Sequence, residues 1–326
     1  MPNYSGVWSL TAQMQSLKSG TWPPSVTGDV GIVYGFHTGT AATRRGTQFI
    51  LISSTGNATD YVDLTDGYSG RPAGFGSSTR GGIAGGNKYN DDDEAKSDNI
   101  EYHVMSNGGN LTSFGNLSAA KGNLAGLSNG TRAVFNAGQA PGATNVMEYI
   151  TVATLGDVTD FGDLSAASLG GSSASGTTRG MISLGNAGGS LVDTIEYITV
   201  GSTGNTTDFG NCSGVAYKGF MANSSVRMCV ALGAQPSIVD TIDYFTIAST
   251  GNGTDFGDLT VAGVEDVCGT GNATRGVRFG GVNNPTTYNI IDYITFGSTG
   301  DASDFGDLTA ATKDNAAASN CHGGLS

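Results

Sequence analysis

The chain has 326 residues, of which 53 are glycine and only 13 % are charged, and its formal net charge is −13. Glycine at this density disfavours a helical core, and a chain with no cluster of Lys and Arg is not expected to bind nucleic acid. No apolar run approaches the roughly 18 residues of a membrane helix, and residues 1–6 lack the features of a signal peptide, so we expect no membrane insertion. The composition favours an all-β protein with many tight turns.

Residues 1–28 match no other part of the chain and contain both of its tryptophans. Apolar residues between the tryptophans recur at helical spacing, which predicts a short amphipathic helix. The segment either plugs one end of the following domain or docks onto a partner, because tryptophan is enriched at interface hot spots. Its predicted docking residues are Trp8, Leu10, Met14, Leu17 and Trp22.

From residue 29 onward one phrase recurs six times, first as the stretch from Ser54 to Leu64. The copies end near residues 64, 117, 164, 212, 259 and 308. The aromatic residue of each copy is Tyr61, Phe114, Phe161, Phe209, Phe256 and Phe305. A period of about 49 residues indicates an array of supersecondary units.

Each copy contains four short strand patterns, as the copy around residue 130 illustrates. The strands are expected at residues 123–127, 132–138, 146–152 and 159–164, and Asn129-Gly130 marks the first hairpin turn. A four-stranded antiparallel unit at this period is typical of a propeller blade.

The two ends of the array complement each other. The first copy lacks a first strand and begins with the second-strand pattern at residues 31–36, and residues 313–319 supply a first-strand pattern after the last copy. A C-terminal strand that joins the N-terminal blade leaves no open sheet edge. The sequence therefore predicts a six-bladed β-propeller of four-stranded antiparallel blades over residues 29–326, preceded by the docking segment 1–28.

The repeat resembles the kelch repeat, in which a Gly-Gly pair ends the second strand, a Tyr lies in the third and an aromatic residue, usually Trp, lies in the fourth. Gly280-Gly281, Tyr293 and Phe305 fit this pattern. Other copies depart from it, for example with Ala137-Gly138, and no copy has the Trp. The resemblance implies the propeller fold and says little about function, because propellers host many unrelated activities.

Two charges recur together in five of the six copies. An arginine begins the second strand, and a Glu or Asp precedes the Tyr of the third strand, whereas the first copy has Val30 and Gln48 at these places. The joint absence indicates an ionic pairing, and because the two positions lie at opposite ends of a simple hairpin, the pairing would need a neighbouring strand or blade. The arginines are Arg80, Arg132, Arg179, Arg227 and Arg275.

Function is expected where the copies differ, in the loops between second and third strands. Antiparallel alternation places these loops on the same face as the connections from fourth to first strands. The longest loop, residues 87–94, could hold Ca²⁺ through its carboxylates, but its lack of a regular ligand pattern favours a solvated acidic loop without metal. The candidate binding residues are Tyr89, Asp91, Asp92, Asp93, Glu94, Gln139, Gln235, Asn283, Asn284 and Tyr288.

No catalytic or metal-binding constellation is found, so we predict a non-enzymatic protein without a cofactor. The four cysteines, Cys212, Cys229, Cys268 and Cys321, lack metal-site spacing and are expected to be buried small residues. An enzyme would need non-repeated side chains that converge on the axis. The candidates for that role are His37, His103, Tyr89 and Glu94, and nothing in the sequence brings them together.

A second resemblance concerns the N-terminal segment. The phrase Gly6-Val7-Trp8-Ser9-Leu10, followed by Gln13 and by Gly20-Thr21-Trp22-Pro23, resembles the segment that opens many tailed-phage surface proteins ahead of a variable domain. The Thr-Gly-Asn and Asp-Phe-Gly-Asp-Leu repeats are similar to kelch-like arrays from marine phages.

The resemblance implies a structural virion protein of the phage tail, a tail fiber, or the capsid, made in the host cytoplasm and multimeric in assembly. Residues 1–28 would attach it to other virion proteins, and its loops would contact a host-surface glycan or protein. The alternatives are an intracellular kelch-type adaptor and a carbohydrate-active propeller enzyme.

Overall fold

The computed structural model describes residues 29–35, 43–90, 93–106, 108–233, 239–261 and 264–325. Within these ranges the chain is all β apart from one short 3-10 helix at Thr43–Arg45, and every strand pair of its sheets is antiparallel. None of the helices described there is long and apolar enough to cross a membrane.

Six four-stranded blades form the fold, and we number the strands of each blade from first to fourth outward from the axis. Blade 1 consists of β31 (Ala316–Ser319), β1 (Val30–Tyr34), β2 (Gly46–Leu51) and β3 (Thr59–Asp63). Blade 2 consists of β5 (Ala73–Gly76), β6 (Arg80–Ala84), β9 (Asn99–Val104) and β10 (Thr112–Asn116). Blade 3 consists of β11 (Ala125–Ser128), β12 (Arg132–Asn136), β13 (Thr144–Thr151) and β14 (Thr159–Leu169).

The other three blades have the same order. Blade 4 consists of β15 (Ser173–Ser175), β16 (Arg179–Ser183), β19 (Thr194–Thr199) and β20 (Thr207–Asn211). Blade 5 consists of β21 (Phe220–Asn223), β22 (Arg227–Ala231), β23 (Thr241–Thr246) and β24 (Thr254–Asp258). Blade 6 consists of β25 (Cys268–Gly271), β26 (Arg275–Phe279), β29 (Ile290–Thr295) and β30 (Ser303–Asp307).

Short additional strands extend some connections. They are β4 (Tyr68–Ser69), β7 (Asn87–Asn90), β8 (Asp93–Lys96), β17 (Asn186–Ala187), β18 (Ser190–Leu191), β27 (Val282–Asn283) and β28 (Thr286–Thr287). Strands β4, β7 and β8 form a small sheet, β27 pairs with β28, and β17 with β18 extends the sheet of blade 3 through β14.

The ring closes as the sequence predicts. Strand β31 pairs antiparallel with β1, with Ala318 opposite Ile32, so the C-terminal strand becomes the first strand of the N-terminal blade. The six first strands contact their neighbours around the axis. The second strands are buried along most of their length because an adjacent blade covers each sheet face, whereas the fourth strands are largely exposed at the perimeter.

Aromatic pairs fill the spaces between blades. The Tyr of each third strand packs edge-on against the Phe of the fourth in blades 2 to 6, with Tyr149 and Phe161 centroids 5.9 Å apart as an example. In each of these blades the guanidinium of the recurrent arginine lies over the Tyr ring, at 4.5 Å for Arg132 over Tyr149.

The repeated Phe-Gly of the fourth strand is an inter-blade contact. Gly162 adopts a φ of +142°, and a Cβ placed there would lie 2.4 Å from the carbonyl oxygen of Gly204 in the next blade. Beside this contact, Gly204 N donates to Phe161 O at 2.7 Å. The two repeated phrases, Thr-Gly-Asn and Asp-Phe-Gly, therefore recur together because one packs against the other across each seam.

The predicted ionic pairing of the recurrent charges is wrong. Arg132 lies opposite Thr151, whereas Glu148 lies opposite Phe135, three residues further along the hairpin. The arginine donates instead to Val200 O of the following blade, and the glutamate accepts from Ser118 N of the preceding blade at 2.9 Å. Both charges are therefore inter-blade links, but to different neighbours.

The propeller has two unlike faces. The turn face carries the connections from first to second and from third to fourth strands, and the chain enters the ring there, where Asp29 Oδ2 accepts from Ser53 and Asn272 side chains. The loop face carries the connections from second to third strands and from fourth strands to the next blade. All four exposed large apolar side chains of the described residues lie on the turn face: Leu51, Val104, Leu155 and Val226.

The C-terminal tail closes the axis on the turn face. After β31 the chain turns inward, and the half-buried His322 places Nε2 at 3.1 Å from Gly76 O and 3.3 Å from Ser128 Oγ. Gly324 N donates to His322 Nδ1 at 3.2 Å. The neutral Nε2–H imidazole satisfies all of these contacts.

Candidate functional site

The loop-face end of the axis is ringed by six equivalent residues, one from the start of each first strand. We call this set the ring mouth; its members are Arg71, Asn123, Gly170, Lys218, Asp266 and Asp314. All six have a left-handed backbone, with φ between +51° for Arg71 and +68° for Gly170. Five of them are not glycine, and such strain persists only where surrounding contacts hold it.

Backbone hydrogen bonds between neighbouring blades provide that support. Arg71 N donates to Asp314 O at 3.1 Å, and Asp314 N donates to Asp266 O at 3.0 Å. On the other side Lys218 N donates to Gly170 O at 2.8 Å, and Gly170 N to Asn123 O at 3.2 Å. Asn123 N donates to Gly70 O at 2.9 Å and Val267 N to Lys218 O at 3.4 Å, which completes a circuit around the axis.

The side chains of the ring mouth differ from blade to blade and bring four charges together. Arg71 Nη2 donates to Gly219 O at 3.3 Å. Because Arg71 belongs to blade 2 and Gly219 to blade 5, on the opposite side of the ring, the guanidinium spans the mouth. Lys218 Nζ donates to Asp266 Oδ2 at 3.1 Å and lies 3.7 Å from Glu265 Oε2.

The two adjacent aspartates have unlike proton affinities. Burial, and then the neighbouring Asp266 carboxylate, raise the pKa of Asp314 to about 7. Burial acts in the same direction on Asp266, but Arg71 and Lys218 outweigh it and hold the pKa of Asp266 below its ordinary value. At neutral pH the pair therefore holds one ionised carboxylate and one group close to its titration point.

Behind the ring mouth the axis is narrow. A cavity of about 60 Å³ is lined by Arg71, Pro72 and the starts of the first strands, and a second of about 50 Å³ lies toward His322. The first strands are rich in Gly, Ala and Ser, and a Cβ at Gly74 would lie 2.1 Å from Ala317 O. The axis has room for a few water molecules, whereas drug-sized ligands occupy pockets of about 300 Å³ or more.

The structure places the predicted acidic loop in a hairpin. Tyr89 lies in β7 opposite Glu94 in β8, and Asp93 lies opposite Asn90. Lys96 Nζ, at the end of this hairpin, donates to Pro141 O at 3.4 Å, next to the predicted residue Gln139. The hairpin and the Gln139 connection of blade 3 are thus neighbours on the loop face.

The other predicted loop residues lie elsewhere on this face. Asn283 belongs to β27 in blade 6, across the ring from blade 3, and Asn284 is exposed in the turn that follows. Tyr288 is half-buried and packs against the apolar cluster between blades 5 and 6. The predicted binding residues therefore do not form one cluster.

Several predictions lie outside the described residues. They concern Trp8, Leu10, Met14, Leu17, Trp22, Asp91, Asp92 and Gln235, together with His37.

His103 is the remaining non-repeated candidate whose side chain is described, and it does not lie at the axis. His103 is buried at the seam of blades 1 and 2, with Nε2 at 3.0 Å from Tyr34 Oη, and burial lowers its pKa to about 4. Cys212, Cys229 and Cys268 are buried as expected, and Cys321 is half-buried. Among the described residues no three His, Cys, Asp or Glu side chains are grouped as a metal site requires.

Sequence reasoning missed the residues that the fold does bring together. Arg71, Lys218, Asp266 and Asp314 precede the first strands, whereas the search for non-repeated residues concentrated on the connections between second and third strands. The signal was available in principle. In an alignment of the six copies this one position reads Arg, Asn, Gly, Lys, Asp and Asp, beside first strands that are mostly small or apolar.

No protein-family model matches the chain, and no curated protein matches it either. The class of protein is therefore defined by its strands alone, as a six-bladed β-propeller whose loop-face mouth carries a non-repeated charged cluster.

Proposed function

We propose that the protein is a non-enzymatic, kelch-like virion component of a tailed phage. Residues 1–28 attach the propeller to other virion proteins of the tail or capsid. The loop face is directed outward, where it contacts the host surface or a neighbouring protein. The protein acts as one of many copies in this assembly.

The observation that carries the proposal is the difference between the two faces of the ring: the chain enters at one face, and the ring mouth lies at the other. All strands of the six blades come from Val30–Tyr34 through Ala316–Ser319, so closure of the ring needs no strand from residues 1–28. The chain enters at Asp29 on the turn face, the face that also carries the four exposed large apolar side chains. The charged ring mouth and the variable connections lie on the opposite face. An attachment at one face and a display surface at the other fit these positions.

The first experiment compares the full chain with a variant that lacks residues 1–28. Far-UV circular dichroism reports on the propeller, and light scattering coupled to size-exclusion chromatography gives the mass in solution. We expect the truncated protein to keep the β spectrum and its cooperative melt but to lose the oligomer. It should also fail to bind purified virions from which the full-length protein was stripped.

The control is the full-length Trp8→Ala/Trp22→Ala variant. It keeps the length of the segment and removes its two aromatic anchors, so it should behave like the truncation. If the truncated protein unfolds, residues 1–28 are part of the core and the attachment role is overturned. If it stays folded and keeps its mass and its virion binding, the segment is not the dock.

The Asp266 and Asp314 pair favours a carbohydrate-active enzyme as a second candidate. Two carboxyl groups whose pKa values are moved apart are the arrangement that general acid–base chemistry requires. Such an enzyme would release reducing sugars from a polysaccharide, and Asp314→Asn would abolish the release. Failure of the wild-type protein to release sugars from a panel of bacterial surface polysaccharides would exclude this candidate.

A further inference from the structure

The outer surface of blade 2 lacks the carboxylates that the other blades carry. The residue before the aromatic of the fourth strand is exposed in all six blades. It is Ser113 in blade 2 and an aspartate in the other five, namely Asp60, Asp160, Asp208, Asp255 and Asp304. None of the six fourth strands contains Lys or Arg, and residues 104–120 of blade 2 contain no charged residue of either sign. The perimeter of the propeller is therefore negatively charged at every fourth strand except that of blade 2.

Two of the exposed apolar side chains border this uncharged surface. Val104 ends the third strand of blade 2 and is 37 % exposed, at a place where blades 3 to 6 carry an exposed Thr. Leu155 is 52 % exposed and lies in the turn of blade 3 that packs on β10, where Gly156 N donates to Phe114 O at 3.0 Å. We call residues 104–120 together with Leu155 the neutral sector.

The charge of the neutral sector selects a second copy of the chain as its partner. A two-fold symmetric contact places the same patch of both subunits face to face, so a patch that carries charges of one sign is repelled by itself. The chain has a net charge of −13, and β10 is the one fourth strand that can face its own copy without opposed carboxylates of its own. Asp157, in the turn that carries Leu155, accepts from Asn116 N at 2.9 Å and is thus engaged within its own subunit. A basic partner would instead favour the carboxylates of the other blades.

We propose that two copies of the protein contact each other through the neutral sector about a two-fold axis, with Val104 and Leu155 at its centre. Apolar side chains surrounded by uncharged polar ones are the usual composition of an interface core. A two-fold axis parallel to the propeller axis leaves both turn faces on the same side, as attachment through residues 1–28 requires.

The contact is small, because one hairpin and one turn offer fewer residues than the roughly 20–30 a side of a stable interface. It therefore acts between copies that residues 1–28 already hold close together, at a high effective concentration. In this respect the inference rests on the proposed function, to which it adds the contact that orders neighbouring copies.

The test is sedimentation equilibrium of the full-length protein, which gives the dissociation constant of the oligomer. Ser113→Asp restores the residue of the other blades, so it is compatible with the fold and adds a carboxylate to the contact. It should raise the dissociation constant about fivefold, the factor for two like charges about 4 Å apart in water. Val104→Thr restores the Thr of blades 3 to 6 and should raise the constant about fourfold for each methyl group that leaves the contact. In about 1 M salt, where the Debye length is about 3 Å, only the effect of Val104→Thr should remain.

Each variant has a matched control that restores a repeat residue in another blade. Asn211→Asp in blade 4 adds the same charge at a place where four other blades carry Asp. Val226→Thr in blade 5 makes the same exchange at a valine that is 64 % exposed. Both controls should associate as the wild type does. Thermal melts by circular dichroism identify any variant that fails to fold, and if Ser113→Asp is such a variant, Val104→Thr decides the outcome.

Three results would overturn the inference. The first is an equal dissociation constant for each variant and its control, and the second is a wild type that stays monomeric at every concentration. The third is weaker binding of Ser113→Asp to stripped virions with unchanged self-association, because the neutral sector would then contact another virion protein.

The outcomes separate this inference from the proposed function. Failure of the contact at blade 2 leaves the attachment of residues 1–28 to virions untouched. If truncation of residues 1–28 leaves the oligomer and the virion binding intact, the attachment role fails, and the variants at Ser113 and Val104 still decide the contact.

Discussion

Substitution of Gly162 by alanine tests whether the repeated glycine of the fourth strand exists for contact between blades. The new Cβ would lie 2.4 Å from Gly204 O, about 1 Å inside van der Waals contact. Opening the seam by that amount would strain three hydrogen bonds between blades 3 and 4. These are Gly204 N to Phe161 O, Thr206 N to Asp163 O and Asp163 N to Asn205 Oδ1.

The expected cost has two parts. A non-glycine residue at a φ of +142° is strained by about 1–3 kcal/mol. Overpacking of a close seam adds about 1–3 kcal/mol. We therefore expect Gly162→Ala to lower the free energy of unfolding by about 2–6 kcal/mol, which for a chain of this size lowers the melting temperature by roughly 3–9 °C.

Urea unfolding followed by far-UV circular dichroism measures this change. Circular dichroism is preferred to tryptophan fluorescence because none of the blade strands contains a tryptophan. The control is Gly201→Ala in the neighbouring turn, where a Cβ would meet no atom within 4 Å. A loss below about 0.5 kcal/mol for Gly162→Ala, or an equal loss in both variants, would refute the inter-blade explanation of the repeat.

Three further predictions concern buried charges. Arg278 and Asp292 form a fully buried pair with two contacts of 2.7 Å. Arg278→Ile should lower the free energy of unfolding in urea by about 3–5 kcal/mol, because it leaves the Asp292 charge unpaired, and Arg278→Ile/Asp292→Asn should recover most of this loss. An equal loss in the single and the double variant would contradict this prediction. Because the pKa of Asp314 is raised to about 7, the folded state retains a proton that the unfolded state has lost; the contribution of Asp314 to stability should therefore fall as pH rises from about 4 to 7. Urea titrations measure it as the difference between the wild type and Asp314→Asn, and a difference that does not vary with pH would contradict it. Because the pKa of His103 is lowered to about 4, the contribution of His103 to stability should fall by up to about 1.4 kcal/mol per pH unit as pH drops from about 6.5 toward 4. It is measured as the difference between the wild type and His103→Gln, and parallel pH profiles of the two proteins would contradict it.

Local sequence patterns predict much of the fold. Alternating residues such as those of Thr144–Thr151 and turn signals such as Asn129-Gly130 report on a few neighbouring residues, so they can be recognised without tertiary contacts. Each four-strand pattern is a weak signal alone, and its recurrence in six copies makes the prediction of blades firm. The unpaired first-strand pattern at residues 313–319 predicted the closure that Ala316–Ser319 makes with β1.

The partners of the recurrent charges could not be predicted in the same way. Arg132 and Glu148 each bond across a seam to residues 30 to 68 positions away, and the packing of blades decides which backbone groups they meet. The expected pairing across blades does not form, because each charge meets a backbone group of a different neighbouring blade. The candidate site was missed for a related reason, since Arg71 and Asp266 are separated by almost 200 residues and meet only when the ring is closed.

The amino-acid sequence by itself determined the number of blades, the strands within them and the way the ring closes, because these follow from periodicity and from the need to cover sheet edges. The tertiary structure alone decided where the chain enters the ring, which face carries the charged mouth and which side chains share it. Those properties depend on the order of blades around an axis, where residues far apart in sequence are forced into contact by closure.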